Sequence, residues 1–254
     1  RLEGSRRHLQ LDEIDHLPVQ SAAQVSGDGV SDRHGHQADG DRAVLASFAL
    51  AGLFLLAVVV LFRWASDAGL TRGPGAGTLR VIWPWLLYLA LFAASALNAG
   101  LPPASVTLFI VANTMLVGWS EELMFRGLWL RGLHRSFGIW TAILGSSAIF
   151  GAMHVANVFL TGDLRAALVQ ATAAFLSGLF LAAVRLRTAS LWTGIVLHGL
   201  WDAGTFLVAA GAAAKVPVPT AMGDYGSIVM SLPLALVGLF LLRRAGGDYE
   251  ADYT

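Results

Sequence analysis

From about residue 43 to 242 the chain alternates long apolar stretches with short polar connections. The stretches fall at about 43–63, 81–98, 105–125, 138–157, 166–185, 189–210 and 227–242. Several approach the roughly 20 apolar residues that a helix needs to cross a bilayer. The third keeps helical spacing through GLWLRGL and is expected to run on to about Leu133. The predicted fold is therefore all-α, a polytopic transmembrane bundle of about seven helices over residues 43–245. Residues 1–42 are a polar tail, expected to be disordered because they cannot bury enough apolar surface. They lack the apolar core of a signal peptide. Residues 246–254 form a short acidic tail. No internal repeat is evident.

Composition agrees with this reading. Hydrophobic residues make up 56% of the 254 and charged ones only 13%, against about 25% charge in a soluble domain. Residues 1–42 hold 13 of the 34 charged side chains, so the apolar part is poorer still. With no cysteine, disulfides, thiolate metal sites and cysteine nucleophiles are excluded. A formal net charge of zero gives no field that would favour nucleic acid; the lipid bilayer is the expected surrounding. Arginines orient the helices. Arg63, Arg72 and Arg80 follow the first span, Arg126, Arg131 and Arg135 the third, Arg185 and Arg187 the fifth, and Arg243 and Arg244 the seventh. The opposite connections carry only Arg165 and Lys215. The positive-inside rule then places the C-terminus in the cytoplasm and the N-terminal tail outside. The loop RGPGAGT (72–78) lacks the Lys-Ser/Thr of a phosphate-binding loop and reads as a flexible connection.

The stretch GWSEELMFRGLWL (118–130) puts two glutamates and an arginine inside an apolar run. Glu122 and Arg126 are four apart, share a helix face and are in the favourable order for a pair. Glu121 points about 100° away. A second carboxylate at this depth costs about 2.5–3.5 kcal/mol on insertion scales, so it needs a partner or a water-filled cavity. Partners are at hand. Phe150 and His154 share a face in FGAMHVAN (150–157), and His198 and Asp202 do so in LHGLWDAG (197–204). Any one such histidine is commonly a hydrogen-bonded packing residue. Three helices that each bring titratable groups into the membrane point instead to function. Counted at 1.5 Å per residue, Glu121 lies about 15 Å from Arg131 and His198 about 16 Å from Arg187, so the two are level. His154, about 24 Å from Gly138, comes out deeper.

These three motifs, EExxxR, FxxxH and HxxxD in that order, resemble the CPBP family of CAAX proteases and bacteriocin-processing enzymes. The family is also called ABI and is related to the type II CAAX prenyl endopeptidases. The likeness spans about residues 105–205, and Asn157 after His154 also fits. The resemblance implies an intramembrane endopeptidase of a bacterial cytoplasmic membrane, acting on a membrane-associated peptide or protein. It makes Glu121 the general base that activates water, helped by His154. It gives His198 and Asp202 to the oxyanion. Glu122, Arg126, Phe150 and Asn157 become structural support. Peptide hydrolysis needs such a base and such donors, and a carboxylate held away from water is a stronger base. Two mechanisms stay open. One uses glutamate and no cofactor; the other uses zinc held by Glu121, His154 and His198 with an open water position. Asp202 stands where the eukaryotic-type enzymes carry Asn. An ionised Asp only accepts hydrogen bonds, so its share in the oxyanion is open. HExxH, GxGD and GxSG are absent, which argues against other intramembrane protease classes. The rival functions are a non-catalytic scaffold or regulator on the same fold and a proton or ion carrier.

Overall fold

The computed structural model describes residues 46–213 and 223–243. The expected polar tails, 1–42 and 246–254, lie outside these residues, as does Lys215. The described chain is all-helical. Its helices are α1 (Ala46–Leu61), α2 (Thr78–Ala99), α3 (Ala104–Phe137), α4 (Ile139–Thr161), α5 (Leu164–Thr188), α6 (Leu191–Ala213) and α7 (Gly223–Leu242). Among the described residues six helices, α2 to α7, are long and apolar enough to cross a membrane. The first expected span is shorter there, 16 residues, or about 24 Å. The chain is an integral membrane protein.

The breaks follow local chemistry. Pro102 and Pro103 precede α3, and a proline just ahead of a helix costs it no hydrogen bond. Nothing in the sequence stops α3 at Leu133, and it runs on until Gly138. There φ is +81°, a conformation that favours glycine, and the chain turns into α4. Gly162 ends α4 in the same way, with φ at +71°. Asp163 then caps α5 by accepting from the Ala166 backbone N–H at 3.0 Å.

Helices of a membrane bundle gain little by burying apolar groups from lipid, so close approach at small residues does much of the packing. α3 lies on α6 at Gly118, where an added Cβ would stand 2.8 Å from the Ile195 carbonyl oxygen. α4 meets α5 at Gly151, with 2.7 Å to the Ala171 oxygen, and α7 meets α5 at Gly238, with 2.8 Å to Phe180 Cα. α5 is the central post: Phe180, Ala182, Ala183 and Val184 are fully buried between α2, α4, α6 and α7. α1 covers the junction of α3 and α6 through Leu55 and Val59.

The arginine-bearing connections come together at one end. Asp67, in the α1–α2 loop, accepts from Arg131 at 3.1 Å and from Arg135 at 2.8 Å. Its backbone oxygen accepts from Arg185 at 2.9 Å. The same loop holds the start of α6: Leu191 N–H donates to Gly69 O and Trp192 Nε1 to Leu70 O. The loop thereby joins the ends of α3, α5 and α6.

Candidate active site

The polar residues meet halfway along α3. Glu121 and Glu122 close its regular part, and the next seven residues, Leu123–Trp129, form a π-helix. Such segments are rare and recur at functional sites. Adjacent positions of an α-helical turn diverge by about 100°, and the two carboxylates part accordingly. The Glu122 side chain is 1% exposed; that of Glu121 is 24% exposed.

Arg126, buried within the π segment, donates through Nη1 to Glu122 Oε1 at 2.9 Å. Its guanidinium also lies over the Phe150 ring, 4.2 Å from the centroid, a placement that favours a cation desolvated beside an aromatic face. The expected pair is thus present, but it is not closed. His198 Nδ1 stands 3.0 Å from the same Glu122 oxygen. An ionised carboxylate only accepts, so Nδ1 carries a proton and donates it. Glu122, expected to serve Arg126 alone, serves His198 as well.

That bond presents the other ring nitrogen. His198 Nε2 lies 3.6 Å from Glu121 Oε2 and 3.6 Å from Asp202 Oδ2. Both gaps exceed a hydrogen bond, and a water that contacts both atoms of a pair does so from the side, not in line between them. Glu121 Oε2 is buried and has no hydrogen-bond partner among the described residues. Asp202 interacts electrostatically with His198, Glu121, His154 and Glu122. Three carboxylates from two helices therefore converge on one imidazole.

His154 closes the regular part of α4, just before a 3₁₀ turn at Val155–Asn157. Its Nδ1 donates to the Phe150 carbonyl at 2.9 Å, which leaves Nε2 as the acceptor nitrogen of the neutral ring. Phe150 touches both histidines edge-on, with centroids 5.0 Å from His154 and 5.7 Å from His198. Asn157 donates to Gln170 Oε1 at 2.7 Å and fastens the turn after His154 to α5.

The depth expected for His154 needs correction. Counting from Arg131 made Glu121 shallower, but α3 continues to Phe137. From the turn at Gly138, Glu121 is 17 residues back and His154 is 16 residues forward. Both then stand about 25 Å from the turn, and the α3–α4 hairpin brings them level.

For the zinc alternative, the fit is poor. Among the described residues no three His, Cys, Asp or Glu side chains are grouped to hold a metal ion. Glu121, His154 and His198 do not form such a set as they stand.

Trp85 of α2 was not singled out from the sequence. It is 1% exposed, and its Nε1 donates to the Leu197 backbone oxygen at 3.0 Å, one residue before His198. Its ring stacks on Phe180 at 5.3 Å and packs against Trp201 at 4.8 Å. A tryptophan inside an apolar span carries no sequence signal that separates this role from lipid contact.

Compared with known proteins, residues 103–204 match the family model described as type II CAAX prenyl endopeptidase Rce1-like. The matched segment holds all three motifs, with Glu121, Glu122, Arg126, Phe150, His154, Asn157, His198 and Asp202; Trp85 lies outside it. No curated protein and no solved structure matches the chain. The match agrees with the resemblance read from EExxxR, FxxxH and HxxxD, and it is to a protease-type family.

Proposed function

We propose that this chain, whose residues 103–204 match the Rce1-like type II CAAX prenyl endopeptidase family, hydrolyses a peptide bond of a membrane-associated peptide or protein inside the bilayer. The observation that carries the reading is the meeting of Glu121, His198 and Asp202. A buried carboxylate oxygen with no hydrogen-bond partner among the described residues, on a side chain that is partly exposed, stands 3.6 Å from an imidazole nitrogen, at a depth where lipid provides no reason for either group.

In this mechanism Glu121 takes a proton from a water held alongside it and His198 Nε2. His154, with Nε2 free to accept, orients the same water or relays its proton. The water oxygen attacks the carbonyl carbon, and the carbonyl oxygen becomes an oxyanion. His198, protonated on both nitrogens, donates from Nε2 to that oxyanion while Glu122 holds Nδ1. Collapse breaks the C–N bond, and the proton on Glu121 passes to the leaving amine. The products are a carboxylic acid and an amine, and Glu121 returns to its starting state. Asp202, as a carboxylate, accepts rather than donates. Its place is beside His198, where it favours the charged ring, and not on the oxyanion. The arginine-rich end around Asp67 is assigned to the cytoplasm.

The test compares membrane peptides from three strains: wild type, a deletion, and the deletion carrying Glu121→Gln at matched expression. Uncleaved precursors are expected in the last two alike. If the Gln strain matches wild type while the deletion does not, the protein works without cleavage, and the scaffold reading replaces this one.

A further inference from the structure

The buried pair at the centre of the site needs room that few positions on the neighbouring helices could leave. Glu122 Oε1 is shared by Arg126 and His198, and Oε2 is buried with no hydrogen-bond partner among the described residues. What lies against Oε2 is the backbone of α6 at Gly194. A Cβ built there would stand 2.8 Å from Oε2 and 3.5 Å from the carboxyl carbon. A carbon does not sit that close to a carboxylate oxygen, so the carboxyl end of the buried Glu122 chain would have to shift. The other half of the pair meets a milder form of this condition on α5. A Cβ at Gly178 would stand 3.1 Å from Arg126 Nη2 and 3.3 Å from Phe150 Cδ1.

Spacing along α6 adds an independent line. Gly194, His198 and Asp202 follow one another at intervals of four, so they form one stripe on one face. Along it the helix first admits the carboxylate, then binds it through Nδ1, then sets Asp202 beside Nε2. We propose that Gly194 is a positioning residue for His198. It acts through Glu122: the missing side chain seats the carboxylate that holds Nδ1, and Nε2 is thereby aimed at Glu121 and Asp202. Gly178 does the same for Arg126, one step further from the imidazole. The value of this positioning for catalysis rests on the protease reading; the geometry does not.

The test uses the full chain in micelles with ¹⁵N-labelled histidine. His198 is assigned as the ring signal lost in His198→Gln. Wild type is expected to show a protonated Nδ1 with the strongly downfield proton of a bond to a carboxylate. Gly194→Ala is expected to lose that signature. Glu122→Asp withdraws the carboxylate by about 1.5 Å, so the double variant Glu122→Asp/Gly194→Ala is expected to regain it in part. Gly238→Ala is the control. Its added Cβ would be at least as crowded, 2.8 Å from the backbone Cα of Phe180, but away from the pair. It should lower thermal stability and leave the His198 signal alone. If Gly194→Ala does not fold by itself, the double variant must recover folded protein. The proposal is overturned if Gly194→Ala keeps the wild-type signal, if Gly238→Ala removes it equally, or if Glu122→Asp recovers neither signal nor fold. None of these outcomes needs a substrate, so the result is separate from whether the chain cleaves anything.

Discussion

Consider Arg126→Ala. The guanidinium and the Glu122 carboxylate are each 1% exposed. Removing the cation leaves a buried carboxylate whose remaining partner is His198, through Oε1 alone. Breaking a buried pair from one side costs about 3–5 kcal/mol. Loss of the contact with the Phe150 face, 4.2 Å away, adds up to about 2 kcal/mol. The bond to His198 offsets part of this, so the net expectation stays at about 3–5 kcal/mol. At about 1.4 kcal/mol per decade, the folded-to-unfolded ratio falls by roughly two to three and a half orders of magnitude. Against a total of about 5–15 kcal/mol, that loss reduces the yield of folded protein as well as activity. Reversible unfolding of the purified chain in bicelles measures it. The double variant Glu122→Ala/Arg126→Ala supplies the cycle. With both charges gone, the cost is expected to fall short of the sum of the single variants by about 1–3 kcal/mol. An Arg126→Ala protein within about 1 kcal/mol of wild type would refute the reasoning, and so would a strictly additive cycle.

Other perturbations separate chemistry from support. Glu121→Gln should lower cleavage by at least about 100-fold, the lower range for a lost general base, with the unfolding midpoint unchanged; a matching loss of stability would mean the residue is structural. Trp85→Phe keeps the ring packing and loses the donation to Leu197 O, so it should cost about 1 kcal/mol. Trp85→Ala should cost about 3–5 kcal/mol; equal costs for the two in bicelles would contradict this division. Asp67→Asn weakens two partly exposed ion pairs, with Arg131 and Arg135, each worth about 0–1 kcal/mol. Its thermal midpoint should lie slightly below wild type, and the gap should close as salt is raised; a gap indifferent to salt would assign the effect to packing.

Much of the bundle could be read from the chain, because bilayer thickness dictates the length of an apolar run. The three motifs were legible for a related reason. Glu121, His154, His198 and Asp202 stand out because lipid makes each of them costly. Spacing of four correctly paired Glu122 with Arg126. It could not see that Glu122 also reaches His198, 76 positions away, since helix periodicity speaks only of residues on one helix. Trp85, Gly178 and Gly194 were hidden for the opposite reason. A tryptophan or glycine in an apolar span costs nothing that would mark it, and its role exists only once another helix lies against it. The length of α3 was underestimated because the arginines after the third span were read as its end, whereas Arg131 and Arg135 still lie on the helix and turn back to Asp67.

The π segment at Leu123–Trp129 has a consequence for how this helix can change. It fits one extra residue into a turn, and it lies between two fixed points: Glu122 aimed at His198 on one side, Arg131 and Arg135 aimed at Asp67 on the other. Each residue of the segment turns the chain by less than in a regular helix, so the extra residue is taken up locally; removing one would let the ladder relax to α geometry and leave Glu122 and the two arginines in nearly the same phase. A single-codon deletion can therefore be absorbed inside this segment, whereas in a regular stretch of the helix it would rotate one half by about 100° relative to the other. Lengths differing by one residue here are therefore compatible with both anchor points, whereas a one-residue gap in the regular helix between them signals that one anchor point has been given up.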